Sequence, residues 1–296
     1  MNEFLQFTFN GLVTGAVYVL VGVGLTVGIG VARFFNFAQG QLVALAAIMG
    51  AVLTAAGMPY IVMVPCVLLT VALVGMGIRE SIVRFAGTDS LVVFLGTLGF
   101  GIVLQSAIVL LWGPEQRQIA SPFSGVVYIG ELVLPVSKLM LFAVTIPAVA
   151  VLYYVLARTK AGLRLRSCAE NPDVSSLLGV NVGRTMRSAV ALGAVLAALA
   201  GILIATLFPF SPFSGGSYLI KGIAVALAGG LGSISGAVIS GLALGLIETY
   251  ATAYGVPLGF YTFGPEWQDG YAFVLIIAVL ALRPRGLFRG TGDVDV

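Results

Sequence analysis

The chain has 296 residues, of which 59% are hydrophobic and 9% charged, with no histidine and a formal net charge of +3. A soluble domain carries roughly 25% charged residues, whereas here the intervals 4–32, 34–78, 90–114, 139–157, 188–220 and 222–247 contain none. A helix that crosses a bilayer needs about 20 mainly apolar residues, so the composition excludes a soluble enzyme and specifies an all-α, polytopic membrane bundle, whose backbone must satisfy itself inside each helix.

In chain order, apolar runs predict spans near 11–31, 38–56, 60–80, 90–112, 139–157, 187–208, 233–252 and 265–283, with a shorter glycine-rich half-span near 216–230. That makes about eight full spans plus a half-span, with 1–296 as one transmembrane domain. The flank of the first span carries Glu3 and no basic residue, unlike a signal peptide. Cys66 falls in an apolar span and Cys168 in a basic loop, so both are expected as free thiols. The last span gains its length if Pro265 opens the helix, with Glu266 and Asp269 in its first turn. Glycines at four-residue spacing, Gly11/Gly15, Gly24/Gly28, Gly232/Gly236 and Gly241/Gly245, predict close helix–helix faces.

Loop charge orients the bundle. Arg79 and Arg84 separate the third and fourth spans, six basic residues lie within 158–187, and Arg283, Arg285 and Arg289 follow the last span. The loops 113–138 and 253–268 are poor in basic residues. The basic loop and the C-terminus are therefore expected in the cytoplasm, and parity puts the N-terminus outside provided that 216–230 crosses or dips far enough to return the chain to the inner side. The basic residues flank membrane spans, which argues against a nucleic-acid surface.

The loop 158–187 is the longest strongly polar stretch. Within it Asn171 suits a helix cap, Pro172 the first helical position, Asp173 the positive helix end and Gly179 the stop. Leu177 and Leu178 form the apolar side of this short helix, with Glu170 and Asp173 on its polar rim. Such a helix at the mouth of a bundle is a handle for a soluble partner.

Chemistry is sparse elsewhere. Without histidine the commonest general base and metal ligand is missing, two isolated cysteines make no metal cluster, and no metal site is expected. The run Gly229-Gly-Leu-Gly-Ser-Ile-Ser-Gly236 lacks the lysine of a phosphate-binding loop and reads as a tight turn. Two polar breaks are more suggestive: Asn36-Phe-Ala-Gln39-Gly40-Gln41, for which a cytoplasmic turn is the simpler reading, and Pro209–Ser217. Transport sites are commonly built at broken helices. Lys221 and Glu248 are the charges deepest in apolar sequence; they are either functional or near enough to an end to snorkel. Tyr18, Asn36, Gln39, Thr97, Gln105, Tyr218, Lys221 and Glu248 are the candidate groups of a mostly apolar pathway.

Several stretches resemble the permeases of branched-chain amino-acid type ATP-binding cassette (ABC) importers: Gly11-Leu-Val-Thr-Gly-Ala-Val-Tyr18, Asn36-Phe-Ala-Gln-Gly40, Arg166-Ser-Cys-Ala-Glu-Asn-Pro-Asp-Val-Ser-Ser-Leu-Leu-Gly-Val-Asn181, Ala228-Gly-Gly-Leu-Gly-Ser-Ile-Ser-Gly-Ala237 and Leu282-Arg-Pro-Arg-Gly-Leu287. The order covers the chain from first span to last. Gln39 stands where the family commonly has histidine, and Ser235 where it commonly has proline. The resemblance implies the permease fold of such importers in a bacterial inner membrane. It implies a second permease, two ATPases that carry ATP and Mg²⁺, and a periplasmic binding protein; this chain would bind no cofactor and hydrolyse nothing. It also implies that 170–179 is the coupling helix that seats on an ATPase. Permeases of this kind serve amino acids, urea, short amides or aromatic acids. An ion-coupled secondary transporter is the rival class; it would need intramembrane carboxylates or histidines, and Glu248 is the one carboxylate on offer.

Overall fold

The computed structural model describes residues 2–32, 35–86, 90–121, 125–129, 132–254, 256–258, 261–263, 267–283 and 286–288. They form α1 (Asn2–Ala32), α2 (Gln39–Ala55), α3 (Tyr60–Ala86), α4 (Ser90–Trp112), the hairpin β1 (Val126–Ile129) and β2 (Leu132–Pro135), α5 (Val136–Arg158), α6 (Lys160–Glu170), α7 (Pro172–Leu177), α8 (Val182–Leu207), a 3₁₀ turn (Pro212–Ser214), α9 (Gly215–Gly229), α10 (Ile234–Tyr254), the hairpin β3 (Val256–Leu258) and β4 (Tyr261–Phe263), and α11 (Gln268–Leu282). Both hairpins are antiparallel, with Val126 opposite Pro135 and Val256 opposite Phe263.

Six of these helices, α1, α3, α4, α5, α8 and α10, are long and apolar enough to cross a membrane. The two other expected full spans are shorter helices. α2 has 17 residues, or about 25 Å at 1.5 Å per residue, less than the roughly 30 Å hydrocarbon core. α11 has 15 residues and starts at Gln268; the expected start at Pro265, with Glu266, lies outside the described residues, as do Arg285 and Arg289. α9 is the predicted half-span, at 15 residues.

The bundle has two distinct ends. At one, both hairpins lie beside the start of α1: the Gln6 amide donates to the Val133 carbonyl at 3.1 Å, and Phe4 packs on Tyr250 near the end of α10. At the other lie α6, α7 and an ion-pair clamp in which Glu80 of α3 accepts Arg187 of α8 at 3.1 Å and its neighbour Arg79 at 3.3 Å.

Glycines set the helix contacts. α1 runs antiparallel to α10, with Gly11 and Gly15 against Leu246 and Leu242, and Gly241 and Gly245 against Val19 and Gly15. α1 also crosses α8 where Gly24 faces the Gly193 carbonyl, and Gly30 meets Gly232 at the basic end. These are the small-residue faces that bring backbones together in lipid.

The contact pattern repeats itself in the opposite sense. α1 packs on α9 and α10, while α8 packs on α2 and α3; α2 touches α4 as α9 touches α11. From the interior, α2 runs toward the hairpin end, where Gly50 meets Ile119, and α9 runs toward the basic end, where Gly229 meets Gly236. Helices α1–α4 and α8–α11 thus form an inverted-topology repeat, joined through α5. The two short helices begin back to back: a Cβ on Gly215 would stand 2.6 Å from the Gly40 carbonyl oxygen, and one on Gly40 would collide with the Gly215 carbonyl. The break before α9 is held by a bridge between Arg117 and Phe210, with N–O distances of 3.0 and 2.8 Å.

Because no side chain fits between these backbones, Gly40→Val is expected to destabilise the bundle by about 1–3 kcal/mol. The readout is a lower thermal unfolding midpoint in detergent. Gly99→Val is the control, since nothing lies within 4 Å of that Cβ position. Equal midpoints for the two variants would contradict the back-to-back packing.

Candidate functional site

At the basic end the loop 158–187 folds as two helices. Thr159 caps α6 by accepting from the Gly162 amide at 3.1 Å, and α6 turns Gly162, Leu165 and Cys168 toward the bundle while Arg164 and Arg166 face outward. Asn171 then breaks the helix with an extended backbone and caps α7, its Oδ1 accepting from the amides of Asp173 at 3.0 Å and Val174 at 3.1 Å. Gly179 ends it at φ +82, a left-handed conformation that suits glycine. Asn181 starts α8 by accepting from the Arg184 amide at 3.0 Å.

This folding points the apolar groups away from the protein. Leu177 and Leu178 are 86% and 77% exposed, and Glu170, Asn171 and Asp173 are exposed around them, while Ser175 is buried against the bundle. Adjacent exposed leucines on a short capped helix outside the apolar bundle are the candidate interaction surface. Asn171→Ala should cost the loop about 0.5–2 kcal/mol through the lost cap. Amide hydrogen exchange should then speed up across 173–178 and stay unchanged in α8; unchanged exchange in α7 would contradict the cap's role.

The interior polar residues fall into separate groups. The break at 36–41 is no cytoplasmic turn: Asn36 and Gln39 are buried, because α2 begins well inside the basic end of α1. The Asn36 Oδ1 accepts from the Ala38 amide at 3.1 Å, and the Gln39 amide donates to the Gly193 carbonyl at 2.9 Å, at the α1–α8 crossing. Gln41 donates to Gln105 of α4 at 3.3 Å. Thr97 is buried and donates to the Phe94 carbonyl of its own helix at 3.0 Å, and Phe94 packs on Phe37 of the break with ring centroids 4.6 Å apart.

The second group sits where α1, α9, α10 and α11 meet. Lys221 Nζ lies 3.1 Å from Glu248 Oε1 and 3.3 Å from Asp269 Oδ1, and donates to the Tyr18 hydroxyl at 3.0 Å. Tyr18 donates to Glu248 Oε1 at 2.9 Å, and Ser217 donates to Asp269 Oδ2 at 2.8 Å. The side chains of Lys221 and Glu248 are only 6% and 2% exposed; neither snorkels, because each ends on an opposite charge within the bundle. Asp269 and Ser217 belong to this network although the sequence suggests no such role. The nearest hint is that Ser217 and Lys221 lie four residues apart, on one face of a helix.

Next to the network a cavity of about 260 Å³ is lined by Val13, Val17, Tyr18, Ile204, Leu207 and Tyr218. Tyr218 stacks on Phe210, with ring centroids 5.5 Å apart, and tilts against Tyr18 at 6.4 Å. The cavity lies between the hairpin-end half of α1 and the last turn of α8. Its walls are apolar except for Thr14, and its floor is the two phenols, behind which lies the charge network.

Comparisons with known proteins agree with this architecture. Residues 7–280 match the family described as branched-chain amino acid transport system permease component. The chain is 30% identical over 301 residues to the high-affinity branched-chain amino acid transport system permease protein BraD of Pseudomonas aeruginosa, covering 96% of this chain and 95% of that protein. It is 29% identical over 300 residues to the high-affinity branched-chain amino acid transport system permease protein LivH of Escherichia coli K12, with coverage of 96% and 95%. The autoinducer 2 import system permease protein LsrC of Escherichia coli O9:H4 is 28% identical over 287 residues, covering 91% of this chain and 76% of that protein. Among solved structures, PsaBC from Streptococcus pneumoniae in complex with Fab shares the fold, with a TM-score of 0.52, 13% identity, and coverage of 95% and 93%.

Proposed function

The chain belongs to the branched-chain amino acid transport permease family, as a non-enzymatic permease subunit of an ABC importer in a membrane, and from that premise we propose how it works. It pairs with a second permease to form a pathway for branched-chain amino acids or a related small solute. Two ATPases sit at the basic end, in the cytoplasm, and carry the nucleotide and Mg²⁺; a periplasmic binding protein delivers solute at the hairpin end. The N-terminus is then outside and the C-terminus inside. α2 and α11 complete their crossings through flanking residues, giving eight crossings and the α9 half-span in one permease domain.

The observation that carries this reading is the pair of exposed leucines on α7 at the basic end. Glu170, Asn171, Asp173, Leu177, Leu178 and Gly179 form the part that seats on an ATPase. ATP-driven closure of the ATPases moves α6 and α7, and the motion passes into α8 and the glycine-packed core. Solute enters through the cavity above Tyr18 and Tyr218; Lys221 and Glu248 lie beneath it, and Asn36, Gln39, Thr97 and Gln105 lie along the remaining route. Alternating access requires only that solute bind the two states differently, so weak contacts suffice.

The side chain of the solute is selected mainly by the binding protein. Urea, an amide or an aromatic acid is the second reading; the similarity to LsrC, an autoinducer 2 import permease by its name, supports only that cargo differs among permeases of similar sequence. Exchanging the binding protein for a relative with another ligand decides between them. Uptake should follow the new binding protein with the permease unchanged. Uptake that still discriminates as before would place side-chain selection in the permease.

A further inference from the structure

The charge network under the cavity does not balance. Among the described residues of α1, α2, α8, α9, α10 and α11, the charged side chains are Glu3, Arg184, Arg187, Lys221, Glu248 and Asp269. Glu3 lies at the exposed start of α1, and the two arginines at the basic end. The hydrogen-bonded network itself therefore holds two carboxylates and one ammonium, an excess of one negative charge within the network; Arg117, bridged to Phe210, and Lys138, bonded to Asn10, are cations on neighbouring segments outside it.

The three groups are not equivalent. Glu248 is 2% exposed and receives both Lys221 at 3.1 Å and Tyr18 at 2.9 Å, which fixes it as the permanent partner. Asp269 is 45% exposed, with the longer contact to Lys221 at 3.3 Å, and is otherwise held by the Ser217 hydroxyl. Ser217, Tyr218 and Lys221 share one face of α9, so the face that floors the cavity with a phenol also bears the ammonium and the hydroxyl bonded to Asp269.

We propose that Lys221 and Asp269 are the head-group site of the pathway: a solute ammonium takes the place of Lys221 at Asp269, and Lys221 takes the solute carboxylate. This rests on reading the cavity above Tyr18 and Tyr218 as the solute entrance. A zwitterion makes this exchange without changing the net charge, and every ionic contact broken is replaced by another. A monoanion adds charge of the sign already in excess and leaves nothing for Asp269. A neutral amide offers no charge to either group. Because old pairs are exchanged for new ones, binding is weak and reversible, as a passage site requires, and charged contacts serve selectivity more than affinity. The site reads the head group common to all α-amino acids and is blind to the side chain.

The test uses two solutes with one side chain: leucine and 4-methylpentanoate, which keeps the carboxylate alone. Their binding to the purified permease–ATPase assembly in nanodiscs, without binding protein, is followed by saturation-transfer NMR. Leucine should bind about tenfold or more tightly than 4-methylpentanoate, the ratio expected when one charge-assisted contact is lost. Asp269→Asn should bring that ratio to near one, and Ser217→Ala, which keeps the charge, should preserve it. Equal binding of leucine and 4-methylpentanoate by the unaltered assembly overturns the proposal, as does an Asp269→Asn assembly that keeps the preference. If Asp269→Asn does not assemble, the solute pair on the unaltered protein decides alone. None of these results bears on membership of an ABC importer, which is tested by co-purification of the ATPases.

Discussion

Converting both Leu177 and Leu178 to aspartate should abolish ATP-driven uptake while the permease still folds and inserts. The two side chains are 86% and 77% exposed, so charging them disturbs no internal packing, and the cap at Asn171 and the stop at Gly179 stay in place. The damage falls on the partner surface alone. An uncompensated charge buried in an interface typically costs about 3–5 kcal/mol, so the double change should lower ATPase binding by at least about two orders of magnitude. Co-purification from detergent and uptake in proteoliposomes read the two effects. An unaltered amount of bound ATPase, together with full uptake, would show that α7 is not the seat.

Replacing Lys221 alone by methionine should cost the fold far more than any change on α7. The substitution leaves Glu248, 2% exposed, without the ammonium that lies 3.1 Å from it. Removing one partner of a buried ion pair typically costs about 3–5 kcal/mol, a large share of the roughly 5–15 kcal/mol that hold a protein folded. The yield of monodisperse permease should collapse. The double variant Lys221→Met/Glu248→Gln should restore the yield, because no buried charge is then left alone. A Lys221→Met protein as stable as the original would mean that the carboxylate is not isolated by the loss. A double variant as unstable as the single one would assign the cost to lost shape and not to charge.

Much of the architecture is legible in the chain because it is written in local patterns. The glycine pairs at four-residue spacing do find backbones: Gly11 and Gly15 meet α10, and Gly241 and Gly245 meet α1 in return. The cap-to-stop sequence from Asn171 to Gly179 forms the expected short helix. What the sequence conceals is depth. The run 38–56 is apolar enough to span, and nothing in it reveals that α2 begins beside Gly193, inside the bundle; the break at 36–41 therefore reads as a turn at an end. Asp269 reads as an ordinary first-turn acid because its partners, Ser217 and Lys221, lie 52 and 48 positions away and meet it only in the packed bundle. The inverted repeat is hidden for the same reason: it lies in which helices touch and in which direction they run, not in repeated residues.

The central claim is that ATP hydrolysis by partner subunits, and no ion gradient, drives solute through this chain. Its most direct test is uptake of labelled leucine into proteoliposomes that contain the complete assembly and its binding protein. Uptake should require enclosed or added ATP on the ATPase side and should persist with a protonophore and without a sodium gradient. The permease alone should show none. Concentrative uptake by the isolated permease under an imposed gradient, without ATPases, would contradict the account and establish a secondary transporter.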